Sequence, residues 1–405
     1  MVFQKVFLLL CVGEVGRLSS SLVPRFEDIF ILFSHASEEV KVAASWAVAG
    51  ICIGNLSDCL PFIVQQSQTP SAIQLWLLIS LNKVMTYFGQ SIDRSQQFLP
   101  YVSLVWEELI KHSGSDEDGI RDSVTEGLSK LTLIDPTNCL PKLKLLLDSP
   151  SPIIRFTAMA AFHLTISDQP STIDPLLREW IEDFLVALRD SDVRVRRAAI
   201  VTFNSAVYNK PVLVTHLLDS ILPDIYKETV VQDDLITIIE QGSLRLIFDN
   251  GLDTRKAAYE CLYTVLDCLS NKLDLFDFMK HIIRGLGDQR DVKIFTFNLI
   301  EKLTLVCPRL VSQTTDLFIE PLNKIFSLEL PIGAPNEDQE QITEIKTFAL
   351  RVIISLLNMP NAEKNPHLVR LVRQIKATDY WLTIFEAVQT VFEIPESMTN
   401  MINKI

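Results

Sequence analysis

The residue types that usually carry catalysis or hold cofactors form no recognisable signature in this sequence. It contains no glycine-rich phosphate loop, no His-Glu-x-x-His pair for zinc and no Gly-x-Ser-x-Gly nucleophile motif. The six histidines have no pair at four-residue spacing, and they are His35, His112, His163, His216, His281 and His367. Isolated histidines of this kind are typical of surface or helix-end positions. We therefore predict no catalytic residue, no metal site and no cofactor, and we expect that the protein is not an enzyme.

Two charged clusters are candidates for binding rather than for bond chemistry. The acidic run Ser115–Asp118 lacks the ligand spacing of a calcium loop and is predicted to be a turn between helices. The basic residues Arg194, Arg196 and Arg197 lie next to acidic loops. They either pair with carboxylates of the same chain or contact a partner, and the sequence is compatible with both interpretations.

The seven cysteines are odd in number and include no Cys-x-x-Cys motif. Cys52 and Cys59 are seven positions apart, as are Cys261 and Cys268, and each pair lies within a helical pattern of apolar residues. Seven residues are close to two helical turns, so we expect each pair to share one helix face. The pattern is typical of reduced, buried thiols in an intracellular protein.

Net charge and hydropathy exclude two classes of partner. The formal charge is −13, so the field of the molecule repels phosphate backbones and we predict no binding to nucleic acid. The apolar run Val6–Gly13 is far shorter than the ~20 residues that cross a bilayer, so we expect no membrane partner. The opening residues resemble a signal peptide, but no small-residue cleavage site follows before Arg17, and we expect no secretory signal.

One helical pattern recurs along the chain. A β-branched residue precedes Lys or Arg, and a small or β-branched residue stands three positions after it. The basic residues of this pattern are Lys41, Arg121, Arg155, Arg196, Arg255, Lys293 and Lys346. Most of the intervals are near the ~40 residues of HEAT and armadillo units, so we interpret each occurrence as the second helix of a helical hairpin. Its basic side chain is predicted to reach a carboxylate in an adjoining turn. The predicted fold is an all-α HEAT/armadillo-like α-solenoid of about nine repeats.

The interval from Arg196 to Arg255 is 59 residues and exceeds the repeat length by about one hairpin. The excess, Asp233–Asn250, is rich in Ile, Leu, Thr and Phe, with a glycine at its centre, which is typical of a β-hairpin. A two-residue loop of Gln241 and Gly242 would place Leu235, Thr237, Ile239, Leu244, Leu246 and Phe248 on one face. The other face would carry Ile236, Ile238, Arg245 and Ile247. Because both faces are apolar, we predict that the helices cover one face and a partner the other. The alternative is that the hairpin folds back and buries its own apolar face.

The predicted domains are HEAT repeats over residues 1–230, an inserted hairpin over 231–252, and further repeats with a capping helix over 253–405. The segment Phe3–Val15 has the pattern of a second helix without its first, so we expect a longer array or another chain at that end. The polar stretch Pro331–Gln341 is predicted to be a surface loop. Asp379–Phe392 is predicted to be an amphipathic helix that closes the stack.

Four segments carry a likeness to a known family. They are Leu131–Pro136 (LTLIDP), Thr165–Leu177 (TISDQPSTIDPLL), Val195–Pro211 (VRRAAIVTFNSAVYNKP) and Asp249–Asp267 (DNGLDTRKAAYECLYTVLD). The sequence resembles the C-terminal part of the cullin-associated, neddylation-dissociated proteins, also called TATA-binding-protein-interacting proteins. The resemblance runs from about Val12 to the final helix and covers about the last third of the family's full length.

The resemblance implies a function as well as a fold. Family members wrap a HEAT superhelix around a cullin–RING scaffold, and this portion grips the N-terminal domain of the cullin. Their projecting hairpin occupies the site where substrate-receptor adaptors dock, which implies that Leu235–Phe248 is the competing element here. A helix face with Arg194, Arg197, Asn204, Asn209 and Lys210 is implied to contact the cullin. This hairpin is more apolar than the family pattern.

The expectation is therefore a non-enzymatic assembly and exchange factor for cullin–RING ubiquitin ligases, in the cytoplasm and nucleus. The family parts that enclose the RING subunit lie in earlier repeats, which a separate N-terminal chain could supply. The rival hypothesis is a general HEAT-repeat scaffold for protein interactions, in which the hairpin has no binding role.

Overall fold

The computed structural model describes residues 2–19, 26–68, 73–167, 171–241, 244–329 and 335–391. They form two compact units that divide between Asn209 and Lys210. The helices of the first unit are Val2–Leu18 (α1), Phe26–Phe30 (α2), Glu38–Gly54 (α3), Leu56–Ser67 (α4), Gln74–Phe88 (α5), Ile92–Phe98 (α6), Val102–His112 (α7), Asp118–Ile134 (α8), Pro136–Leu146 (α9), Pro152–Ser167 (α10), Asp174–Leu185 (α11) and Val193–Asn209 (α12).

The second unit contains ten helices and one hairpin in its described ranges. The helices are Pro211–Val214 (α13), Leu218–Glu228 (α14), Leu252–Leu269 (α15), Leu275–Ile282 (α16), Arg290–Val306 (α17), Pro308–Thr314 (α18), Asp316–Phe326 (α19), Asn336–Leu357 (α20), Pro366–Lys376 (α21) and Asp379–Val391 (α22). The strands Ile236–Gln241 (β1) and Leu244–Asp249 (β2) lie between α14 and α15 and pair antiparallel.

Each unit is built from pairs of consecutive helices that stack side by side. In the first unit the second helices α3, α5, α8, α10 and α12 pack in succession, and α1 packs on α3 as a further second helix. In the second unit α15, α17, α20 and α22 form the corresponding row. The described residues contain nine such pairs, from α2–α3 to α21–α22. The predicted all-α HEAT-repeat solenoid of about nine repeats is confirmed.

Small residues allow the second helices to approach closely. Ala44, Ala158, Ala199, Ala258 and Ala349 follow the basic residue of the repeat pattern by three positions, and each is fully buried. An alanine side chain adds little distance between two helix backbones, so neighbouring helices pack at short range along the row. Larger apolar side chains between the two helix layers complete the core, among them Phe162 and Phe184, whose rings stack 3.7 Å apart between α10 and α11.

Three local predictions are wrong. Cys268 is exposed, although Cys261 is buried as predicted. The stretch 331–341 is not all loop, because α20 begins at Asn336, while residues 331–334 lie outside the described residues. Cys52 and Cys59 do not share one helix face, because Asn55 ends α3 and begins α4, with φ −143° between them. Both thiols are nevertheless buried and unbonded, and burial raises the pKa of Cys59 to about 11.

Candidate partner-binding site

The hairpin has a different register from the one predicted. The pairs are Ile236 with Asp249, Thr237 with Phe248, Ile238 with Ile247, Ile239 with Leu246, Glu240 with Arg245 and Gln241 with Leu244. The expected loop of Gln241 and Gly242 is therefore wrong, because Gln241 belongs to β1 and the two residues between the strands are 242 and 243. Each cross-strand partner shifts by two positions, so Thr237, Ile239, Leu246 and Phe248 keep one predicted face of the ribbon, and Ile238, Arg245 and Ile247 keep the other. The predicted strand position of Leu235 is wrong, because Leu235 ends a 3-10 turn that precedes β1.

Both faces of the hairpin expose large apolar side chains. On one face Ile239, Leu246 and Phe248 are 48%, 38% and 47% exposed. On the opposite face Ile238 and Ile247 are 45% and 62% exposed. The prediction that helices cover one face is wrong for these residues, and so is the alternative in which the hairpin folds back to bury itself. Two-sided apolar exposure is unusual for a soluble chain and is typical of a surface that a partner covers.

The base of the hairpin is fixed by hydrogen bonds rather than by apolar packing. The Asn250 amide group donates to the Leu235 carbonyl oxygen at 3.1 Å and to Thr237 Oγ1 at 2.9 Å. The Asn250 backbone N–H also donates to the Leu235 carbonyl at 3.1 Å. Residue 251 is a glycine with its Cα against Leu235, where an added Cβ would lie 3.0 Å from Leu235 Cδ1. The chain therefore leaves the second strand close against the start of the first.

A buried ion-pair network joins this base to the helices. Arg255, on the first turn of α15, donates to both carboxylate oxygens of Asp249 at 3.1 and 2.6 Å and to both of Asp288 at 2.8 and 3.0 Å. Its side chain is only 2% exposed. Gln289 Nε2 also donates to Asp249, at 3.1 Å. The last residue of β2 is thus tied to α15 and to the turn that precedes α17.

The charges of this network shift one another's pKa values. Hydrogen bonds from Arg255 hold the pKa of Asp249 below its ordinary value. Burial alone would lower the pKa of Arg255, but the hydrogen bonds to Asp249 and Asp288 outweigh it and raise that pKa. The guanidinium and the Asp249 carboxylate are therefore charged throughout the neutral pH range.

Other basic residues of the repeat pattern bind turns in the same way. Arg155 makes two hydrogen bonds, at 2.7 and 2.8 Å, to the carboxylate of Asp190 in the next repeat. Arg196 donates to the carbonyl oxygens of Asp190 and Ser191, and Lys346 donates to that of Leu328. The predicted carboxylate partner is confirmed for Arg155 and Arg255.

The implied cullin-contacting face lies mostly on α12, in the first unit. Arg194 and Arg197 are exposed, and Arg194 pairs with Asp192 at 2.9 Å. Asn204 is half-buried, and its Oδ1 is a buried atom without a hydrogen-bond partner among the described residues. Asn209 ends the helix, and Lys210, which follows it, is buried. Lys210 therefore offers little surface to a partner.

This face also carries an exposed aromatic residue that was not predicted from the sequence. Tyr208 is 71% exposed and stands four positions after Asn204, so the two share one side of α12. Asn204 follows Arg197 by seven positions, and Tyr208 follows Asn204 by four, so all three residues lie on one side of the helix. This spacing was the signal available in the sequence, and an exposed tyrosine is a frequent anchor in protein interfaces.

The part of the chain that the structure describes contains neither a candidate metal site nor a candidate membrane-spanning helix. Across those ranges, no group of three or more His, Cys, Asp or Glu side chains is arranged to hold a metal ion. None of the helices in the same ranges is long and apolar enough to cross a membrane.

Comparisons with known proteins identify the class of this chain. The crystal structure of importin beta in an ammonium sulfate condition superposes with a TM-score of 0.52 at 9% identity, over 85% of this chain and 42% of that one. A likeness at this identity concerns the fold alone. Together with the nine helix pairs, it defines a HEAT-repeat protein that carries an inserted, projecting β-hairpin.

Sequence relatives specify the family. The family described as TATA-binding protein interacting (TIP20) matches residues 213–376, a range that includes the hairpin. Cullin-associated NEDD8-dissociated protein 1 of Drosophila melanogaster is 39% identical over 388 residues, and protein 2 of Mus musculus is 36% identical over 387. Both matches cover 95% of this chain and 31% of the relative.

A third relative has a name that refers to one part of the protein. It is cullin-associated NEDD8-dissociated protein 1, C-terminal part, of Emericella nidulans, at 28% identity over 85% of this chain and 33% of the relative. The resemblance seen in the sequence is confirmed, and the chain belongs to this family. It spans about a third of the length of the curated relatives that it matches.

Proposed function

We propose that this chain is a non-enzymatic, cullin-binding assembly and exchange factor for cullin–RING ubiquitin ligases, acting in the cytoplasm and nucleus. The names of its relatives support the association with cullins. The observation that carries the proposal is the hairpin, whose two apolar faces are exposed while its base is fixed by a buried ion-pair network. Such an element is pre-organised for a partner, because little conformational freedom is lost at its base on binding.

The proposed mechanism is competition at one cullin surface. The hairpin occupies the place on the cullin N-terminal domain where a substrate-receptor adaptor docks, and each ligand weakens the other's binding by the same factor. A transient complex of all three then releases adaptor faster than unaided dissociation would. Exposed residues of α12, notably Arg194, Arg197 and Tyr208, supply further contact on the cullin side.

A separate chain with the N-terminal repeats is a second proposed partner. The exposed side of α1 carries Phe3, Phe7 and Leu18, which are 80%, 59% and 75% exposed. In a repeat stack, an apolar side of a second helix is the side that packs on the neighbouring repeat. A helical hairpin of another chain of the family is the occupant that fits this side.

The test is a titration of the purified chain against a cullin–RING assembly, with and without a bound adaptor. We expect the adaptor to weaken binding and the chain to accelerate adaptor release. The double variants Ile238→Ser with Ile247→Ser and Ile239→Ser with Leu246→Ser, one for each hairpin face, should reduce both effects by about tenfold or more. Leu145→Ser, at a residue that is 68% exposed on α9, is the matched control for loss of an exposed apolar side chain.

Two results would count against exchange. Unchanged adaptor release in both hairpin variants would remove the hairpin from the mechanism and favour the general scaffold. If the wild-type chain alone does not bind, the titration is repeated with the family's N-terminal repeats added as a second chain. Absence of binding under that condition as well would contradict the cullin proposal.

A further inference from the structure

A groove on the first unit lies where α1 and α3 cross in backbone contact. Gly50 and Gly54 of α3 face Gly13 and Gly16 of α1, and a Cβ on Gly50 or Gly54 would collide with the carbonyl group of the glycine opposite. An added Cβ on Gly13 would also lie 3.0 Å from the Cα of Ala47. Gly13 and Gly50 line an open groove of about 490 Å³ between α1, α3 and α5, where neither residue contributes a side chain.

The walls of this groove are aromatic. Trp46 of α3 is 42% exposed, and Tyr87 of α5 is half-buried at the other side. Leu10 and Ile53 complete the apolar lining. Tryptophan and tyrosine supply large contact area at a low entropic cost, and they are enriched among the residues that dominate binding energy.

Cations stand over both aromatic rings. Lys83 Nζ lies 4.4 Å from the centre of the Trp46 ring, and the Arg94 guanidinium lies 4.1 Å from the centre of the Tyr87 ring. Arg17, 5.9 Å from Tyr87, is neutralised by an ion pair with Glu14 at 2.7 Å. Within the described ranges, neither Lys83 nor Arg94 forms an ion pair. Lys83 lines the groove itself, whereas Arg94 lies beside the lining, over Tyr87, and also donates a hydrogen bond to Gln90 Oε1 at 2.6 Å. Cation–π contacts hold their side chains in place while leaving the charges available.

The sign of this charge is opposite to that of the whole molecule. The chain carries a net charge of −13, so acidic partners are repelled by most of its surface. A local cationic and aromatic groove on such a surface selects a negatively charged segment by complementarity, and the aromatic walls provide apolar contact area.

We propose that this groove binds an acidic, extended segment of a partner protein. Carboxylates of the segment pair with Lys83 and Arg94, and one apolar side chain inserts between Trp46 and Tyr87. The site is separate in sequence from the hairpin and from α12, and it goes beyond the proposed exchange function because it requires neither cullin nor adaptor.

The test uses short fluorescein-labelled peptides and the full chain. The probe is a peptide of Glu and Asp around a central Leu-Phe pair, and its comparison peptides carry Gln and Asn for the acids or Ser for Leu-Phe. Anisotropy should show tighter binding of the probe than of either comparison peptide, with affinity that falls as salt increases. Lys83→Glu should weaken binding by about tenfold or more, because repulsion replaces attraction.

A matched control is available in the same unit. Lys142 lies 5.8 Å from the ring centre of the buried Trp106, and the variant Lys142→Glu makes the same charge change at a different cation–π pair. The control should bind the probe like the wild type. Equal losses in Lys83→Glu and Lys142→Glu would show general charge attraction instead of a site and would overturn the proposal.

A localising measurement gives an independent outcome. The chain has five tryptophans, so a nitrogen–proton correlation spectrum contains five indole signals that report on separate places. Addition of the probe should shift the Trp46 signal, assigned through Trp46→Phe, and leave the others in place. The proposal is wrong if the signals of other tryptophans move instead, or if the uncharged peptide binds the chain as tightly as the acidic one.

Discussion

The hairpin has a base and an outer part, here called the tip, which consists of the strand pairs from Ile238–Ile247 outward. These two regions reverse the usual distribution of polarity in a protein. At the tip, Ile238 and Ile247 face solvent, whereas at the base Arg255 is almost fully buried between two carboxylates. An exposed isoleucine contributes little to folding, and a buried charge is costly unless it is paired. This contrast indicates that the base stabilises the fold. The residues of the tip are not needed for folding and are therefore available for binding a partner.

The largest expected effect is at the base. Arg255→Ala leaves Asp249 and Asp288 buried without their cation, so we expect the free energy of unfolding to fall by about 3–5 kcal/mol. The exposed pair of Arg194 with Asp192 provides the contrast, and Arg194→Ala should cost about 1 kcal/mol or less. Urea denaturation followed by circular dichroism measures both. Similar small losses in the two variants would show that the buried network does not stabilise the fold.

The pH dependence of stability is the next test of the base. The folded-state pKa of Asp249 is depressed, so its contribution is complete above the unfolded pKa of about 4 and is lost as pH falls through the folded value. Asp249→Asn should cost about 1–3 kcal/mol at neutral pH, since the buried Arg255 then loses one of its two charged acceptors and keeps only Asp288.

The unfolding free energies of the wild type and of Asp249→Asn should converge in acid. Because the wild type loses this contribution in acid and the variant never had it, the difference between their unfolding free energies should shrink below about pH 4. Denaturation curves at neutral pH and at several acidic pH values measure that difference. A difference that is constant with pH would mean that charge at Asp249 is not what anchors the hairpin.

The sequence predicted the repeats and the hairpin for local reasons. The small residue three positions after each basic residue and the β-branched run near Ile238 act within a few residues, so pattern alone reveals them. The two faces were correctly assigned because a shift of two positions in partner preserves the alternation of side chains. The register was missed because Gly242 is compatible with either position of a two-residue loop.

The remaining features depend on tertiary contacts. Asp288 stands 33 residues from Arg255, and no local pattern indicates that both of its oxygens accept from that guanidinium. Exposure of both hairpin faces is likewise invisible in the sequence, which predicted cover on one side. The helix boundary at Asn55 separates Cys52 from Cys59 although the apolar pattern continues across it. The contacts of Arg194, Arg197, Asn204, Asn209 and Lys210 with a cullin remain predictions.

The smallest expected effect on folding is at the tip. Ile238 and Ile247 are directly opposite on the two strands, and such a cross-strand pair contributes about 0.2–1 kcal/mol within a sheet. Because the hairpin's base is fixed independently through Asp249 and Arg255, the double serine variant should unfold within about 0.5 kcal/mol of the wild type. Amide hydrogen exchange should then become faster in β1 and β2 while the helices keep their protection.

The stability and the partner binding of the double serine variant together distinguish the role of the tip from that of the base. A variant that keeps its unfolding free energy but loses partner binding would assign the exposed isoleucines to recognition, since loss of binding could not then be attributed to unfolding. A drop comparable to that of Arg255→Ala would instead mean that the tip is part of the folding unit. The hairpin would then be a structural element of the repeat stack, and partner binding would no longer explain why its apolar faces are exposed.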